Sequence, residues 1–272
     1  MTIQCEYPCS VSRWRDGIVP GRGTFLDTIR YADNYTHAAF TAQALESKSR
    51  VLVIGDAGGR DSLYLEHLGH KVAQLDLSPQ DGVPDLVVQS IEDRTPFDNG
   101  EFDGIVLNEV LEHLHRDLDA LNELYRILSP SGLLVVSVPA SQRQDRPEFH
   151  VRIHTARTLT RLLSAAGFVP VDQYDRGIIA RLSQTSLGRA AELLAQMAFV
   201  WAGATPEEAV KRVNAPLARL EMAIGAHPIL QRPWITRGFH VVARLGEKGD
   251  MTRTQIDAFA HTNRLRYHPP VG

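Results

Sequence analysis

Three glycines crowd the end of a short apolar run. In "VLVIGDAGGRDSLYL", Val51 to Leu65, residues Gly55, Gly58 and Gly59 stand between four apolar residues and the opening of a helical pattern. Glycine lets a backbone turn sharply and approach a ligand closely, so the turn reads as a cradle for a small molecule. Seventeen residues after Gly59, the run "VAQLDLSP" ends at Asp76. A carboxylate at the same sheet edge as the glycine turn can accept two hydrogen bonds from a ribose diol, which points to a ligand containing adenosine. Taken alone, Asp76 also reads as a helix N-cap. Gly55, Ala57 and Gly59 fall on every second position, which is not the G-x-G-x-x-G of NAD-type sites.

Groups able to move a proton follow further on. His113 lies in "NEVLEHLH", directly after the apolar run "FDGIVLN", and an imidazole in ordinary surroundings titrates near pH 6.5, where it can take a proton from a hydroxyl. Glu109 and Glu112 sit at the same place and read either as site carboxylates or as groups favouring the positive end of a helix. A second set, His150, Arg152 and His154 in "RPEFHVRIHT", has its β-branched residues and a Thr155 cap against a helix. It is therefore expected to be extended, with the three side chains on one face. That face would suit a hydroxylated or anionic acceptor, or would pack as a polar loop over the sixth strand, and no metal is expected.

Regular alternation must position these groups. Strands are expected at 51–55, 71–76, near 85–88, 103–107, 132–138 and 168–173, with helices at 59–68, 116–128 and 155–166. Strands separated by helices make βαβ units and a parallel sheet with right-handed crossovers. "SPSG" at 129–132 reads as a turn ending the helix before it. Residues 1–46 form an irregular arm and a helix, 47–177 the core, 178–237 a helical insertion over the acceptor side, 238–245 ("GFHVVARL") the last strand of the core, and 246–272 a polar tail. Inside the insertion, "ATPEEAVKRV" starts a helix with a Thr cap, a first-turn Pro and two acids. The apolar run "AAELLAQMAFVWAGA" is read as a core helix or as the contact of a homodimer, the alternative being an interfacial helix that approaches lipid-linked acceptors.

Composition sets the outer bounds. The chain has 272 residues, 43% hydrophobic and 22% charged, enough for one generous domain with an insertion. A formal net charge of -3 with mixed signs along the chain gives no general attraction to nucleic acid. The two cysteines, Cys5 and Cys9, lack the further ligands that a zinc or iron–sulfur site needs and read as free thiols. Neither a leader-like apolar region nor some eighteen consecutive apolar residues occurs, so a soluble cytoplasmic protein without a membrane span is expected.

From Val51 to Phe168, and again at "GFHVVARL", the chain resembles the class I S-adenosylmethionine-dependent methyltransferases. "VLVIGDAGG" is similar to that family's first motif, "QLDLSP" to its second-strand acid, and "SIEDRTPFDNGEFDGIVLNEVLEHL" to its adenine-side segment and fourth strand. "YRILSPSGLLVVSVP" and "ARTLTRLLSAAGF" resemble the segments around strands five and six. The resemblance implies a doubly wound, Rossmann-like sheet, mostly parallel with an antiparallel last strand, and S-adenosylmethionine as cofactor. It implies cofactor contacts at Gly55, Asp56, Ala57, Gly59, Asp76, Leu77 and Asn108, with the adenine contact among Ser90, Ile91 and Glu92, where Ile91 would pack on the ring.

Two positions depart from the family pattern. Val53 stands where the family usually has an acid, and Ala57 replaces the middle glycine, so Asp56 becomes the candidate for the cofactor's ammonium group. The resemblance also places His150 and His154 in a loop bordering the acceptor pocket and makes His113, His150 and His154 the candidates for the base. The implied reaction is methyl transfer to a small-molecule acceptor, foremost a hydroxyl of a sugar or secondary metabolite. The alternatives are an amine acceptor or a non-catalytic cofactor-binding subunit.

Overall fold

The run at Val51 becomes strand β1 (Arg50–Ile54), buried at every position after Arg50, as a strand covered on both faces must be. In the computed structural model, residues 26, 29–56, 59–80, 82–83, 85–140, 150–183, 185–225, 238–249 and 251–256 are described. Ala57, Gly58, Cys5 and Cys9 lie outside them. Helix α1 (Ala32–Ala44) precedes β1, followed by α2 (Arg60–His67), β2 (Lys71–Asp76), the short β3 (Val87–Val88) and β4 (Phe102–Asn108). A 3-10 turn (Leu111–His113), α3 (Asp117–Ile127), β5 (Leu128–Pro139), α4 (Ala156–Ala165) and β6 (Phe168–Arg176) come next. Then follow α5 (Ile178–Ser183), α6 (Ser186–Trp201), α7 (Pro206–Gly225) and β7 (Gly238–Leu245).

The strands form one sheet in the order β3-β2-β1-β4-β5-β7-β6. All neighbours run parallel except β7, which is antiparallel to both β5 and β6. Alternation along the strands divides the core between two faces. Leu52, Ile54, Ile105 and Leu107 pack with Leu121, Leu124, Leu159 and Leu163 of α3 and α4. Val51, Val53 and Val106 pack on the other face with Phe40, Leu65 and Met222, from α1, α2 and α7.

The expected turn at 129–132 is instead strand. The helix before it does stop, but β5 begins at Leu128, pairing with Phe102, and its register shifts before Gly104 meets Leu133. A side chain at Gly132 would come within 2.5 Å of Leu128 Cδ1, so the chain folds tightly on itself there without leaving the sheet.

Between β6 and β7 the described residues form three helices. Thr205 and Glu208 cap α7 reciprocally: Thr205 Oγ1 accepts from the Glu208 amide at 3.2 Å and Glu208 Oε2 from the Thr205 amide at 2.9 Å. These helices are tied to the start of α1 and to the residues just before it by buried and part-buried polar contacts. Asn214 Nδ2 donates to Ile29 O (3.0 Å) and Arg30 O (2.9 Å), and Glu192 accepts from the Ala32 amide at 3.1 Å. The start of the C-terminal tail is held as well, with the Gly249 amide donating to Ser164 O at 2.8 Å and Tyr125 Oη to Gly246 O at 3.0 Å. Among the described residues no helix is long and apolar enough to cross a membrane.

Candidate functional site

The carboxyl ends of β1, β2, β4, β5 and β6 share one edge of the sheet, and the residues singled out above gather there. Gly55 leaves β1 with φ 70°, and a Cβ on it would lie 2.5 Å from Val110 Cγ2. Its backbone conformation and its lack of space both demand glycine. Gly59, φ 72°, is the N-cap of α2 and donates its amide to Asp56 O at 2.9 Å. The Asp56 carboxylate accepts from the amides of Ser62 (2.8 Å) and Asp61 (3.3 Å). It therefore closes the first turn of α2, satisfying donors that a helix leaves free at its start. Burial, and then the nearby Asp61 carboxylate, push the Asp56 carboxyl above its usual range.

Asp76 ends β2, and its two oxygens accept from the Ser78 amide (3.1 Å) and Gln80 Nε2 (2.7 Å). Burial raises its titration against the lowering effect of those bonds. A carboxylate has about four lone-pair positions, so capacity remains for a diol. Leu77, the next residue, is 59% exposed. On the adenine side, Ser90 Oγ accepts from the Glu92 amide at 3.1 Å, and Glu92 Oε1 accepts from the Arg116 amide. Ile91 is a core residue, packed in the cluster that holds Leu75, Leu111 and Leu114. Its side chain is committed inward, which leaves Ser90 and Glu92 at the surface of that segment.

At the end of β4, Asn108 is 6% exposed. Its Nδ2 donates to Thr41 Oγ1 (3.1 Å) and Asp61 Oδ2 (3.0 Å), while its Oδ1 has no partner. Glu109 follows with φ 59°, the one positive value at a non-glycine among the described residues. Such a conformation costs roughly 1–3 kcal/mol at a residue with a Cβ and persists only where its surroundings hold it. Here the Glu109 amide donates to Ser137 O (3.0 Å), and its carboxylate takes the Ser137 hydroxyl (3.1 Å) and Arg176 Nη2 (3.5 Å).

Neither Glu109 nor Glu112 caps α3. Glu112 is 2% exposed, with Oε2 unpartnered, and its carboxyl is pushed well above the usual range by burial and then by the charge of Glu109. His113 is 43% exposed, its Nε2 3.7 Å from Glu112 Oε1. Its ring centroid lies 5.0 Å from that of His150. Glu112, His113 and His150 each offer a ligating or proton-carrying atom within 4.8 Å of the others, the one such grouping among the described residues.

The expected common face of His150, Arg152 and His154 is not formed. The amides of Val151 and Arg152 both donate to Glu112 O, at 2.9 and 3.2 Å. Successive amides of an extended strand point to opposite sides, so two of them on one oxygen require a turn. Arg152, itself exposed, pairs with the buried Asp117 carboxylate at 3.1 Å. His154 is buried under a bridge with Ala140, and burial lowers its titration.

Several residues at this edge carried no local signal. Arg60 and Asp61 are paired at 2.7 Å, and Asp61 is 2% exposed. Arg176, at the end of β6, donates to Asp33 at 3.3 Å and to His37 Nε2. His37 Nδ1 meets His240 Nε2 at 2.7 Å. An imidazole nitrogen facing a guanidinium must be the acceptor, so His37 carries its proton on Nδ1 and donates to His240. Burial first, and then nearby arginines, hold both rings well below the usual histidine range and so neutral. Polar residues inside the apolar runs "YTHAAF" and "GFHVVARL" are the trace they leave in the sequence.

Comparison with known proteins bears on this edge. Residues 27–173, more than half the chain, match a family model described as a methyltransferase domain. A ubiquinone biosynthesis O-methyltransferase from Xanthomonas oryzae pv. oryzae is 33% identical over a stretch covering 33% of this chain and 42% of that protein. The match thus spans less than half the length of that relative. A Burkholderia thailandensis 1,6-didemethyltoxoflavin-N1-methyltransferase, solved with bound 1,6-didemethyltoxoflavin and S-adenosylhomocysteine, is 21% identical with a TM-score of 0.51, covering 79% of each chain. A SAM-dependent methyltransferase from Archaeoglobus fulgidus gives a TM-score of 0.53 at 16% identity, over 81% of this chain and 97% of that one. At these identities the likeness to the solved structures is one of fold.

Proposed function

This chain belongs to the methyltransferase domain family, and from that premise we propose that it transfers a methyl group from S-adenosylmethionine to a hydroxyl of a small acceptor, such as a sugar or other secondary metabolite. The residues present fit the cofactor. Gly55 leaves the turn bare, Asp76 has lone pairs beyond the bonds it accepts, and Asn108 carries a buried acceptor without a donor. Asp76 holds the ribose diol, and Ser90 and Glu92 border the adenine.

When bound, the cofactor supplies an electrophilic methyl on a sulfonium and leaves as a thioether. The protein's share is to hold the acceptor oxygen in line with that methyl and to take up the hydroxyl proton. Positioning of this kind can supply on the order of 7–11 kcal/mol, and a placed base typically adds a factor of about 100 or more. Grouping of Glu112, His113 and His150 at the carboxyl edge is the observation that carries an oxygen acceptor, because a neutral amine can attack without losing a proton first. His113, the most exposed of the three that face one another, takes the proton. Buried Glu112 is kept protonated more readily than an ordinary carboxyl and so leaves the proton-accepting role to the imidazole.

The test is to incubate the purified protein with methyl-labelled S-adenosylmethionine and separate pools of hydroxylated and amine metabolites, reading products by mass spectrometry. Label on oxygen is expected. Label confined to nitrogen would favour the amine reading, and no label with intact cofactor binding would favour a binding subunit.

A further inference from the structure

Helix α6 carries its polarity the wrong way round for a surface helix. The side turned to the protein holds polar groups: Glu192 accepts from the Ala32 amide at 3.1 Å, and Gln196 Nε2 donates to Arg30 O at 2.7 Å. The side turned to solvent holds Leu187, Leu194, Met197 and Trp201, which are 82%, 65%, 45% and 79% exposed. Ala190, Ala191 and Ala198, exposed as well, lie between them. With 3.6 residues to a turn, these positions fall within an arc of about 120° and form an apolar stripe about 21 Å long. No charge interrupts it. Glu192 is turned inward, and Arg189, about 200° round the helix from Leu187, lies over the Tyr31 ring at 5.1 Å and reaches Ser183 O at 3.4 Å.

Charge and spacing select what fits this stripe. A helix that lies on lipid has basic residues flanking its apolar side, and neither Lys nor Arg occurs from Ala190 to Pro206. Lys211 and Arg212 of α7 are engaged by Glu207 (2.6 Å) and by the Phe199 ring (5.6 Å). A two-fold contact sets each surface against itself, so a charge near the axis would meet its own copy, and this face has none to meet. The spacing is also symmetrical: 187 and 201, 190 and 198, and 191 and 197 each lie equally far from 194. Two α6 helices packed antiparallel about an axis at Leu194 therefore set Leu187 of one copy against Trp201 of the other. Alanine then faces alanine or Met197, which lets the helix axes come close. Beside Trp201, an apolar cleft of about 440 Å³ bordered by Val200, Pro206 and Val210 gives the facing Leu187 a place to pack.

We propose that the outer face of α6 is the contact surface of a homodimer, with two copies joined antiparallel about a two-fold axis at Leu194. The inverted polarity then has a physical reason on both sides. Apolar residues meet the second copy, while Glu192 and Gln196 grip the start of α1 and the residue before it. Asp33 of α1 pairs with Arg176 at the sheet edge where the candidate site lies, so the contact braces that wall from behind. The assignment does not depend on which acceptor the protein methylates.

Sedimentation velocity of the full chain over about 1–100 µM tests it. The wild type should sediment at twice the 30.2 kDa of one chain. Leu194→Asp sets two like charges on the axis and should weaken self-association at least tenfold; because Leu194 is exposed in the single chain, far-UV circular dichroism should stay unchanged. Leu118→Asp, at an exposed position of α3 on the opposite face of the sheet, should leave the dimer intact. Leu187→Glu should also weaken it, and adding Trp201→Arg should restore it, since antiparallel packing brings those two positions together. Loss of the dimer without that rescue overturns the antiparallel arrangement. A wild type that stays monomeric at the highest concentration, or a dimer indifferent to Leu194→Asp, overturns the proposal. Flotation of a monomeric wild type with phosphatidylcholine–phosphatidylglycerol vesicles, abolished by Leu194→Asp, overturns it in favour of a lipid surface.

Discussion

Nδ1 of His37 lies 2.7 Å from Nε2 of His240, and neither ring has any exposed surface. With Arg176 on the far side of His37, a proton added to either ring would place a second buried positive charge against the first. Both folded-state values fall below the ordinary histidine value of about 6.5, so below that pH the unfolded chain takes up protons that the native one refuses. The pair's contribution is whole above about pH 6.5 and is lost as the pH falls. Buried carboxyls with raised values, such as Asp56, Glu112 and Glu221, act in the opposite sense, so the readout is a difference between proteins. Between pH 7.5 and 5.5 the wild type should lose more melting temperature than His240→Gln, by about 2–4 °C per kcal/mol of linked stability. Equal losses would show that His240 does not titrate on unfolding.

His113→Ala tests the base. The variant should bind S-adenosylhomocysteine as the wild type does while turning over an oxygen acceptor roughly a hundredfold more slowly. Retention of most activity, or joint loss of binding and stability, would assign His113 a structural part.

Asp76→Ala removes the proposed ribose contact at the end of β2. Affinity for S-adenosylhomocysteine and for 5′-methylthioadenosine should fall together by at least tenfold, about 1.4 kcal/mol, because both carry the diol. Unchanged affinity in a folded variant would remove Asp76 from the cofactor site.

Gly55→Ala should be costlier than an equal change at Gly69. Both glycines have positive φ, 70° and 91°, but a Cβ at Gly69 meets nothing within 4 Å, whereas one at Gly55 runs into Val110. Gly69→Ala isolates the backbone cost, about 1 kcal/mol. Gly55→Ala should exceed it by thermal melt and weaken cofactor binding as well; equal melts would mean that Val110 moves aside without penalty.

Local chemistry was legible where one segment holds the whole signal. The glycine turn, Asp76 at a strand end and the Thr205 cap each depend on neighbours a few residues away, and the periodicity around Val51, Phe102 and Phe168 was enough to place the strands. What escaped is what only the fold brings together. His37 and His240 are 203 positions apart, and Asn108 and Asp61 47 apart, so nothing near either residue announces its partner. The segment from His150 to His154 was misread for a related reason: its shape is set by the distant carbonyl of Glu112, which its own β-branched residues cannot foretell.

The strand order has a consequence in time. β7 lies between β5 and β6, although α5, α6 and α7 all come before it in the chain. During synthesis at about 5–20 residues per second, β5 and β6 emerge with a strand-wide gap between them and wait several seconds for the piece that joins them. Until Gly238–Leu245 arrives, both present an unpaired edge, and His37 has neither its ring partner nor a closed wall behind it. That seam stays open to pairing with another strand until then, and a ribosome stalled short of β7 would leave behind a chain in which neither β5 nor β6 has the partner that joins them.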